Sequence, residues 1–193
     1  MDISAQKGCQ WSDHALQGTL VAQGFTQTYR INYDESFTPV SKFASTHVVL
    51  APAATHNWEV HQVDIKNAYL NVELTEKVYM AQPPGFVKAR HKGKVCRLYK
   101  ALYSLKQGSR CWYLCICEAF SKFGYTCCQV EQCVFYKGKK CGVIILVIVV
   151  DDLTSASNCS SLLLGCKLDL QSKFKISNMG EIHWLLGVEI KRD

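Results

Sequence analysis

Residues 142–152 read Gly-Val-Ile-Ile-Leu-Val-Ile-Val-Val-Asp-Asp. Eight consecutive apolar residues, seven of them β-branched, predict a strand that is buried on both faces. The run is much shorter than the ~20 residues that cross a bilayer. Asp151 and Asp152 follow directly, and adjacent carboxylates beside a core repel each other and are poorly solvated. Two interpretations stay open: a plain turn, in which Asp is common, and a divalent-cation site, because hard oxygen ligands suit Mg²⁺.

A second acidic position follows the same pattern. Residues 58–65 alternate between apolar and polar side chains, which predicts a strand, and Asp64 lies near its end. Carboxylates from two strands can bridge two metal ions, which lie about 3.5–4 Å apart in enzymes that transfer phosphoryl groups. We therefore expect Asp64, Asp151 and Asp152 to meet at one end of a sheet.

Composition sets the limits of the fold. The chain has 193 residues, 48% of them hydrophobic, which is enough for one sizeable core or two lobes. The net charge of +6 is compatible with a nucleic-acid partner. Eleven cysteines without a signal-peptide pattern indicate reduced thiols in an intracellular protein, and their spacing does not favour a zinc site. Metalloprotease, serine-hydrolase and phosphate-loop motifs are absent from the sequence.

The remaining periodicity predicts helices, strands and loops. Residues 1–15 show little pattern and are expected to be poorly ordered, and residues 16–193 are expected to form one domain. Pro52 interrupts the first helical segment, which Ser45 or Thr46 would cap, and it predicts a loss of stability there. Gly124 would end the second helix. Helices are predicted at 45–56, 109–123 and 162–174, and further strands at 20–25, 133–137 and 184–190.

A basic segment lies between Lys88 and Arg110. Eight lysines and arginines occur there without an acidic residue. Such a segment can bind phosphates with an affinity that falls steeply with salt, or it can be a solvated surface loop, and charge alone does not separate these interpretations.

Nine short motifs follow one another in a fixed order over residues 20–190. They are Leu-Val-Ala-Gln-Gly-Phe-Thr-Gln (20–27), Tyr-Asp-Glu-Ser-Phe-Thr-Pro-Val (33–40), Val-Asp-Ile-Lys-Asn-Ala-Tyr-Leu-Asn (63–71), Val-Tyr-Met-Ala-Gln-Pro-Pro-Gly-Phe (78–86), Val-Cys-Arg-Leu (95–98), Leu-Tyr-Ser-Leu-Lys-Gln (102–107), Arg-Cys-Trp-Tyr (110–113), Val-Asp-Asp-Leu (150–153) and Leu-Gly-Val-Glu-Ile (186–190). In this order they resemble the reverse transcriptase of copia-type (Ty1/copia) LTR retrotransposons. The sequences of 119–124 and 179–184 are most similar to fungal elements.

The resemblance implies an α+β fingers-and-palm polymerase fold, with an antiparallel palm sheet backed by helices. It also implies the activity of an RNA-directed DNA polymerase, which adds a dNTP to a primer 3′ end on an RNA or DNA template. Asp64, Asp151 and Asp152 would be the catalytic and metal-binding residues, holding two Mg²⁺ ions, with Mn²⁺ as a substitute.

The resemblance assigns roles to two further groups. Tyr69 would block the 2′-hydroxyl of the incoming nucleotide, although a core tyrosine is the alternative. Lys106 and Gln107 would bind the nucleotide and template. The primer grip, which positions the primer 3′ end, would be the hairpin formed by Trp184, Leu185, Leu186 and Gly187.

Membership of this family would place the chain inside a larger retrotransposon polyprotein. It implies a cytoplasmic location in virus-like particles, or a nuclear one, and no membrane partner. The thumb, RNase H, integrase and protease are expected to be absent from this segment.

The sequence also departs from the family pattern. A Lys-Ala-Arg-Leu-Val run usually supplies basic fingers residues that hold the triphosphate, and here residues 17–21 read Gln-Gly-Thr-Leu-Val. The strand ahead of this run is expected to be missing. Three hypotheses follow: an active polymerase domain, a catalytically impaired relic that keeps the fold and binds nucleic acid, and a two-metal nuclease. The nuclease is disfavoured because it gives Tyr69 and the primer grip no role. The lost fingers charges and the expected absence of a thumb favour the impaired relic over the active domain for this isolated chain.

Overall fold

The computed structural model describes residues 5–10, 17–87, 89–185 and 187–191, with side chains described from Leu20 onward in those ranges. These residues form an α+β fold with antiparallel sheets, as predicted. The chain divides into two compact units. The hairpin unit comprises Met1–Thr38 and Tyr69–Leu114, and the sheet unit comprises Pro39–Ala68 and Cys115–Asp193.

Within the described ranges there are three α-helices and twelve strands. The helices are α1 (Phe43–Thr55), α2 (Gly108–Lys122) and α3 (Ser160–Lys173). The strands are β1 (Ala5–Gln10), β2 (Gln17–Ala22), β3 (Glu59–Ile65), β4 (Glu73–Ala81), β5 (Val95–Lys100), β6 (Thr126–Cys127), β7 (Val134–Lys139), β8 (Gly142–Val149), β9 (Asp152–Ser157), β10 (Ile176–Glu181), β11 (Trp184–Leu185) and β12 (Val188–Glu189).

A six-stranded antiparallel sheet, in the order β10-β3-β9-β8-β7-β6, is the frame of the sheet unit. The apolar run that precedes Asp151 forms β8, between β9 and β7, which confirms the predicted buried strand. Ile144, Leu146, Val147 and Ile148 are buried, and they include neighbours that point to opposite faces. The burial of both faces explains why nearly every residue of this strand is apolar.

Helices cover both faces of this sheet. Val60 and Ala156 are paired across β3 and β9, and they pack in one core cluster with Val49 and Ala53 of α1. His61 follows Val60 and therefore points to the other face, where its ring lies 2.7 Å from the Lys167 amine of α3. The core of the sheet unit thus has α1 on one face and α3 on the other.

Helix α2 confirms the predicted segment 109–123 within one residue. Its predicted apolar face is buried at Trp112, Ile116, Ala119 and Phe120. Gly124, with φ of +80°, follows the helix and provides the expected stop.

The hairpin unit is built from two antiparallel pairs, β1–β2 and β4–β5. Its core contains Ala22, Val78, Met80, Leu102 and Leu105. Backbone hydrogen bonds join the pairs to the segment before α2, from Ala22 N to Tyr103 O at 3.0 Å and from Ala101 N to Val72 O at 3.0 Å.

The expectation that no strand precedes residue 17 is wrong. Strand β1 pairs with β2 along its full length, from Ala5 opposite Ala22 to Gln10 opposite Gln17. The other residues of the predicted poorly ordered start, 1–4 and 11–16, lie outside the described residues. Sequence periodicity missed β1 because its polar residues show no apolar alternation.

Two predictions about α1 are corrected. The helix begins at Phe43 after an N-cap at Lys42, so neither Ser45 nor Thr46 caps it. It also continues through Pro52 to Thr55, and the His56 N–H donates to the Pro52 carbonyl. Pro52 lies in the last turns, where packing of Val49 and Ala53 outweighs the one hydrogen bond that proline removes. Pro52 should therefore cost less stability than the sequence alone predicts.

The predicted final strand at 184–190 is instead a short hairpin of β11 and β12. Gly187, with φ of +82°, provides the turn that a single strand would not contain. Among the described helices, none combines the length and the apolar character needed to cross a membrane.

Candidate active site

Two of the predicted carboxylates face each other across neighbouring strands. Asp64, near the end of β3, is the register partner of Asp152, the first residue of β9. Directly opposed residues of an antiparallel pair have Cβ atoms about 4.5–5.5 Å apart on the same face. The structure therefore brings Asp64 and Asp152 together, and both side chains are partly exposed.

Asp151 lies beside this pair, in the turn between β8 and β9. Val149 and Asp152 form the last register pair, so Val150 and Asp151 make a two-residue loop. Such loops need residues with positive φ, and Val150 adopts φ of +56°, which is a strained value for a β-branched residue. The Ile65 N–H donates to the Asp151 carbonyl at 2.9 Å and fixes the turn against the end of β3. All three acids thus lie at one end of the central sheet.

The electrostatics of this end are unfavourable for the chain alone. Burial, and then the charge of Asp64, raise the pKa of Asp152, while a hydrogen bond from Gln62 acts in the opposite direction. Like charges placed directly opposite each other destabilise a sheet. A divalent cation would remove this penalty, and carboxylate oxygens are ligands that Mg²⁺ prefers.

The three carboxylates are suitable ligands for Mg²⁺, but their side chains do not already converge on one position for an ion. In the described ranges, no three His, Cys, Asp or Glu side chains already have the spacing of a metal site. Asp64 and Asp152 can hold one ion between them with the side-chain rotations that partly exposed groups allow. Asp151, the residue before Asp152, is a further carboxylate at this end of the sheet.

Tyr69 has a defined environment in the hairpin unit. Its side chain is 8% exposed, and its ring packs edge-on against Tyr103 with centroids 4.4 Å apart. The hydroxyls of Tyr69 and Ser109 are hydrogen bonded at 2.9 Å. A Cβ at Gly108 would lie 3.2 Å from the ring, so glycine there allows close approach of α2. Its role as a sugar gate stays a prediction, because this packing also suits a core tyrosine.

Gln107 is buried, and its side chain forms hydrogen bonds inside the hairpin unit. It accepts from Gln27 Nε2 at 3.0 Å and donates to the Asn32 carbonyl at 3.0 Å. Gln27 in turn accepts from the Lys106 N–H at 2.7 Å. Lys106 itself is exposed. The geometry gives Gln107 a positioning role for the loop that carries Lys106, and direct contact of either residue with a nucleotide stays a prediction.

Gln27, Asn32 and Ser109 therefore support the predicted residues, and sequence reasoning did not single them out. Gln27 lies 80 positions from Gln107, and Ser109 lies 40 positions from Tyr69. No local spacing connects such pairs. The only available signal was that Gln27 and Ser109 occur in or beside motifs shared with the resembling family.

The predicted primer grip coincides with the hairpin of β11 and β12. Trp184 is 59% exposed, whereas Leu185 is 4% exposed and belongs to the core cluster of the sheet unit. The Ile190 N–H donates to the His183 carbonyl at 2.8 Å and closes the base of the hairpin. Leu186 lies outside the described residues. Leu185 thus anchors the hairpin while Trp184 faces outward.

The basic segment of the hairpin unit is mostly exposed. Exposed cations occur at Arg90, Lys92, Lys94, Arg97, Lys100 and Lys106. Lys88 is outside the described residues. Arg110 differs from the others because it pairs with Glu35 at 3.3 Å. The exposed cations can contact phosphates, and they equally fit a solvated loop.

Comparison with known proteins identifies the family. The sequence profile described as reverse transcriptase (RNA-dependent DNA polymerase) matches residues 4–193. The chain therefore belongs to the reverse transcriptase family, of the Ty1/copia type. No solved structure matches it significantly.

Its relatives include retrotransposon polyproteins of plants and yeast. The chain is 34% identical to the retrovirus-related Pol polyprotein from transposon RE1 of Arabidopsis thaliana, over 96% of this chain and 13% of the relative. It is 37% identical to the retrovirus-related Pol polyprotein from transposon TNT 1-94 of Nicotiana tabacum, over 90% of this chain and 13% of the relative. It is 34% identical to the transposon Ty1-BR Gag-Pol polyprotein of Saccharomyces cerevisiae, over 74% of this chain and 8% of the relative. The chain thus spans a small part of each relative, and the likeness to fungal elements stays a prediction.

Proposed function

We propose that this chain is the fingers-and-palm part of an RNA-directed DNA polymerase from a copia-type retrotransposon. The six-stranded sheet would be the palm, and β1 and β2 would belong to the fingers. The observation that carries the proposal is the register pairing of Asp64 with Asp152 beside the Asp151 turn. A plain turn does not need a facing carboxylate on a third strand.

Each residue has a specific task in this proposal. Asp64, Asp151 and Asp152 would hold two Mg²⁺ or Mn²⁺ ions. Bound divalent ions make a hydroxyl oxygen a better nucleophile and stabilise charge on a leaving phosphate oxygen. The carboxylates would also keep the attacking primer hydroxyl and the triphosphate in line, since reaction needs near-attack geometry.

Nucleotide selection and primer placement fall to other side chains. The Tyr69 ring, held by Ser109 and Tyr103, would exclude a 2′-hydroxyl, and Lys106 would neutralise part of the triphosphate charge. Outward-facing Trp184 would contact the primer end. The exposed basic segment supports binding of a template and primer, with the salt dependence expected for phosphate contacts.

Primer extension on an RNA template, with Mg²⁺ or Mn²⁺, tests the proposal. The unmodified chain should extend a labelled primer, and Asp151→Asn should abolish extension. Asp34→Asn, which changes an exposed carboxylate, is the matched control and should retain it. Extension that survives in Asp151→Asn would refute the assigned site. Cleavage of the template without dNTP incorporation would favour the nuclease hypothesis.

The sugar-gate role has its own test in the same assay. Tyr69→Ala should admit ribonucleotides, whereas Tyr69→Phe should keep discrimination because it retains the ring and loses only the hydrogen bond to Ser109. Unchanged selection for deoxynucleotides in Tyr69→Ala would mean that Tyr69 serves only the core.

The impaired relic is the second candidate, and Gln17 and Thr19 support it. They stand where the resembling family carries a lysine and an arginine, and charge-assisted contacts to phosphate are the strong ones. Gln17→Lys combined with Thr19→Arg should tighten nucleotide binding and leave the melting temperature nearly unchanged. A chain that extends primers fully without these substitutions would contradict the relic hypothesis.

A further inference from the structure

Two cysteines flank the open end of the β8–β9 hairpin. Cys141 immediately precedes β8, and Cys159 lies two residues after β9. The register pairs Ile144 with Ser157, so continuing it by two residues places Gly142 opposite Cys159. A Cβ built on Gly142 would indeed lie 3.1 Å from the Cys159 Cβ. The hairpin therefore places Cys159 against the backbone of Gly142, the residue that follows Cys141 in the chain.

Hydrogen bonds hold the backbone at this end in place. The Val143 N–H donates to Asn158 Oδ1 at 2.9 Å, and the Ser157 hydroxyl donates to the Val143 carbonyl at 2.7 Å. The same Ser157 oxygen accepts from the Cys159 N–H at 3.1 Å. The approach of the two cysteines is thus fixed by the hairpin and does not depend on a loose loop.

The two thiols converge on one hydroxyl. Ser161 Oγ lies 3.1 Å from Cys159 Sγ and 3.9 Å from Cys141 Sγ. Cys141 is exposed and Cys159 is partly exposed, so both are accessible to small reagents. Neither forms a disulfide in this structure.

We propose that Cys141 and Cys159 form a redox-sensitive dithiol that a hydroperoxide oxidises to a disulfide. The Cys159 thiolate attacks the peroxide, an S–O bond forms, the O–O bond breaks, and the second oxygen leaves as water or alcohol after protonation. The Cys141 thiol then attacks the sulfenic sulfur, the S–S bond forms, and water leaves. The two sulfurs together lose two electrons, which the peroxide accepts.

The surroundings of Cys159 favour the thiolate that this chemistry needs. The Ser161 hydroxyl first, and then the Cys141 thiol, lower the pKa of Cys159 to about 7, with a contribution from N–H groups at the start of α3. Two buried thiols behave differently, because burial raises the pKa of Cys133 to about 12 and that of Cys166 to about 11. Oxidation should therefore be selective for the Cys141–Cys159 pair.

The disulfide would cross-link the hairpin at the end opposite Asp151. Its two strands carry the turn on which the acidic residues depend, and a cross-link between their outer ends limits strand separation in the unfolded chain. Oxidised protein should consequently melt at a higher temperature than reduced protein.

The test uses the full chain, which is first reduced and then treated with hydrogen peroxide. The remaining thiols are alkylated, and the cross-linked peptides are identified by mass spectrometry. A peptide linking Cys141 to Cys159 should be the main product. In Cys141→Ser, a cyclic diketone should trap a sulfenic acid at Cys159. In Cys159→Ser, Cys141 should stay reduced at the same dose. Cys127→Ser, which removes another exposed thiol, is the matched control and should still form the link.

Reaction rates add an independent measurement. At pH 7, Cys159 should react with iodoacetamide about threefold faster than an ordinary exposed thiol, because its greater thiolate fraction outweighs its lower intrinsic nucleophilicity. Ser161→Ala should slow that reaction without changing the fold. Cross-links spread evenly over other cysteines, or a Cys159 that reacts no faster than Cys127, would overturn the proposal.

Discussion

Replacing Asp152 by Asn should stabilise the metal-free chain. Asp152 and Asp64 lie directly opposite each other, and Asn removes one charge while keeping the shape of the side chain. Cross-strand pairs change stability by about 0.2–1 kcal/mol, and partial burial adds a penalty on the charged form. We expect a gain near the upper end, about 1 kcal/mol, which raises the melting temperature by about 2–4 °C for a chain of this size.

The gain should depend on pH in a defined direction. Because the pKa of Asp152 is raised in the folded state, the folded chain binds more protons than the unfolded chain between the two pKa values. The contribution of Asp152 to wild-type stability therefore falls as pH rises through that window, and it stays low above it. The Asn variant lacks this loss, so its advantage is complete when the pH lies above both values and disappears when the pH falls below both.

Thermal unfolding followed by circular dichroism, with EDTA and then with Mg²⁺, measures these effects. Mg²⁺ should raise the melting temperature of the wild type more than that of Asp152→Asn, since the variant has lost one ligand. Asp34→Asn, an exposed change, should leave both conditions nearly unaltered. An Asn variant that is less stable than wild type in EDTA would refute the reasoning about opposed charges.

Three further substitutions test the supporting structure, each by urea unfolding. Gln107→Ala should cost about 2 kcal/mol, because it removes two hydrogen bonds of a buried side chain, from Gln27 and to the Asn32 carbonyl, and an unchanged midpoint would contradict that network. Gly24→Ala should be destabilising by more than about 2 kcal/mol, because its Cβ would lie 1.7 Å from the Ser104 carbonyl oxygen; wild-type stability would show that this approach is not required. Val150→Asn should stabilise by about 1 kcal/mol, since Asn tolerates positive φ and Val150 is 47% exposed; a loss of stability would argue against strain.

Local pattern was sufficient for much of the fold. The β-branched run became β8, and the period of apolar residues in 109–123 became α2, because both elements bury what their sequences make apolar. The same reasoning placed Asp64 and Asp151 at strand ends. These predictions use only the pattern of residues that are near one another in the chain, and a single sequence shows that pattern directly.

Other features depend on contacts between distant residues. Strands β4 and β10 were not predicted, since they are stabilised by pairing with β5 and β3 more than by their own composition. The register that sets Asp64 opposite Asp152 is likewise a property of the paired strands, and shifting it by one residue would turn one carboxylate to the other face. Gln107 needed its partners Gln27 and Asn32 to be recognised as a buried support.

Two unfavourable features of the sheet unit lie at the same end of its central sheet. Val150 carries backbone strain, and Asp152 faces a like charge in a partly buried position, whereas β8 and its neighbours follow the local rules of a buried sheet. Conflicts of this kind are expected at functional sites, where the rest of the fold compensates for them. A chain used only as a scaffold would become more stable by losing either acid. The polymerase hypothesis gives these features a role, since a bound divalent cation would offset the repulsion between the two acids, and the stability of Asp152→Asn measures what that repulsion costs the fold.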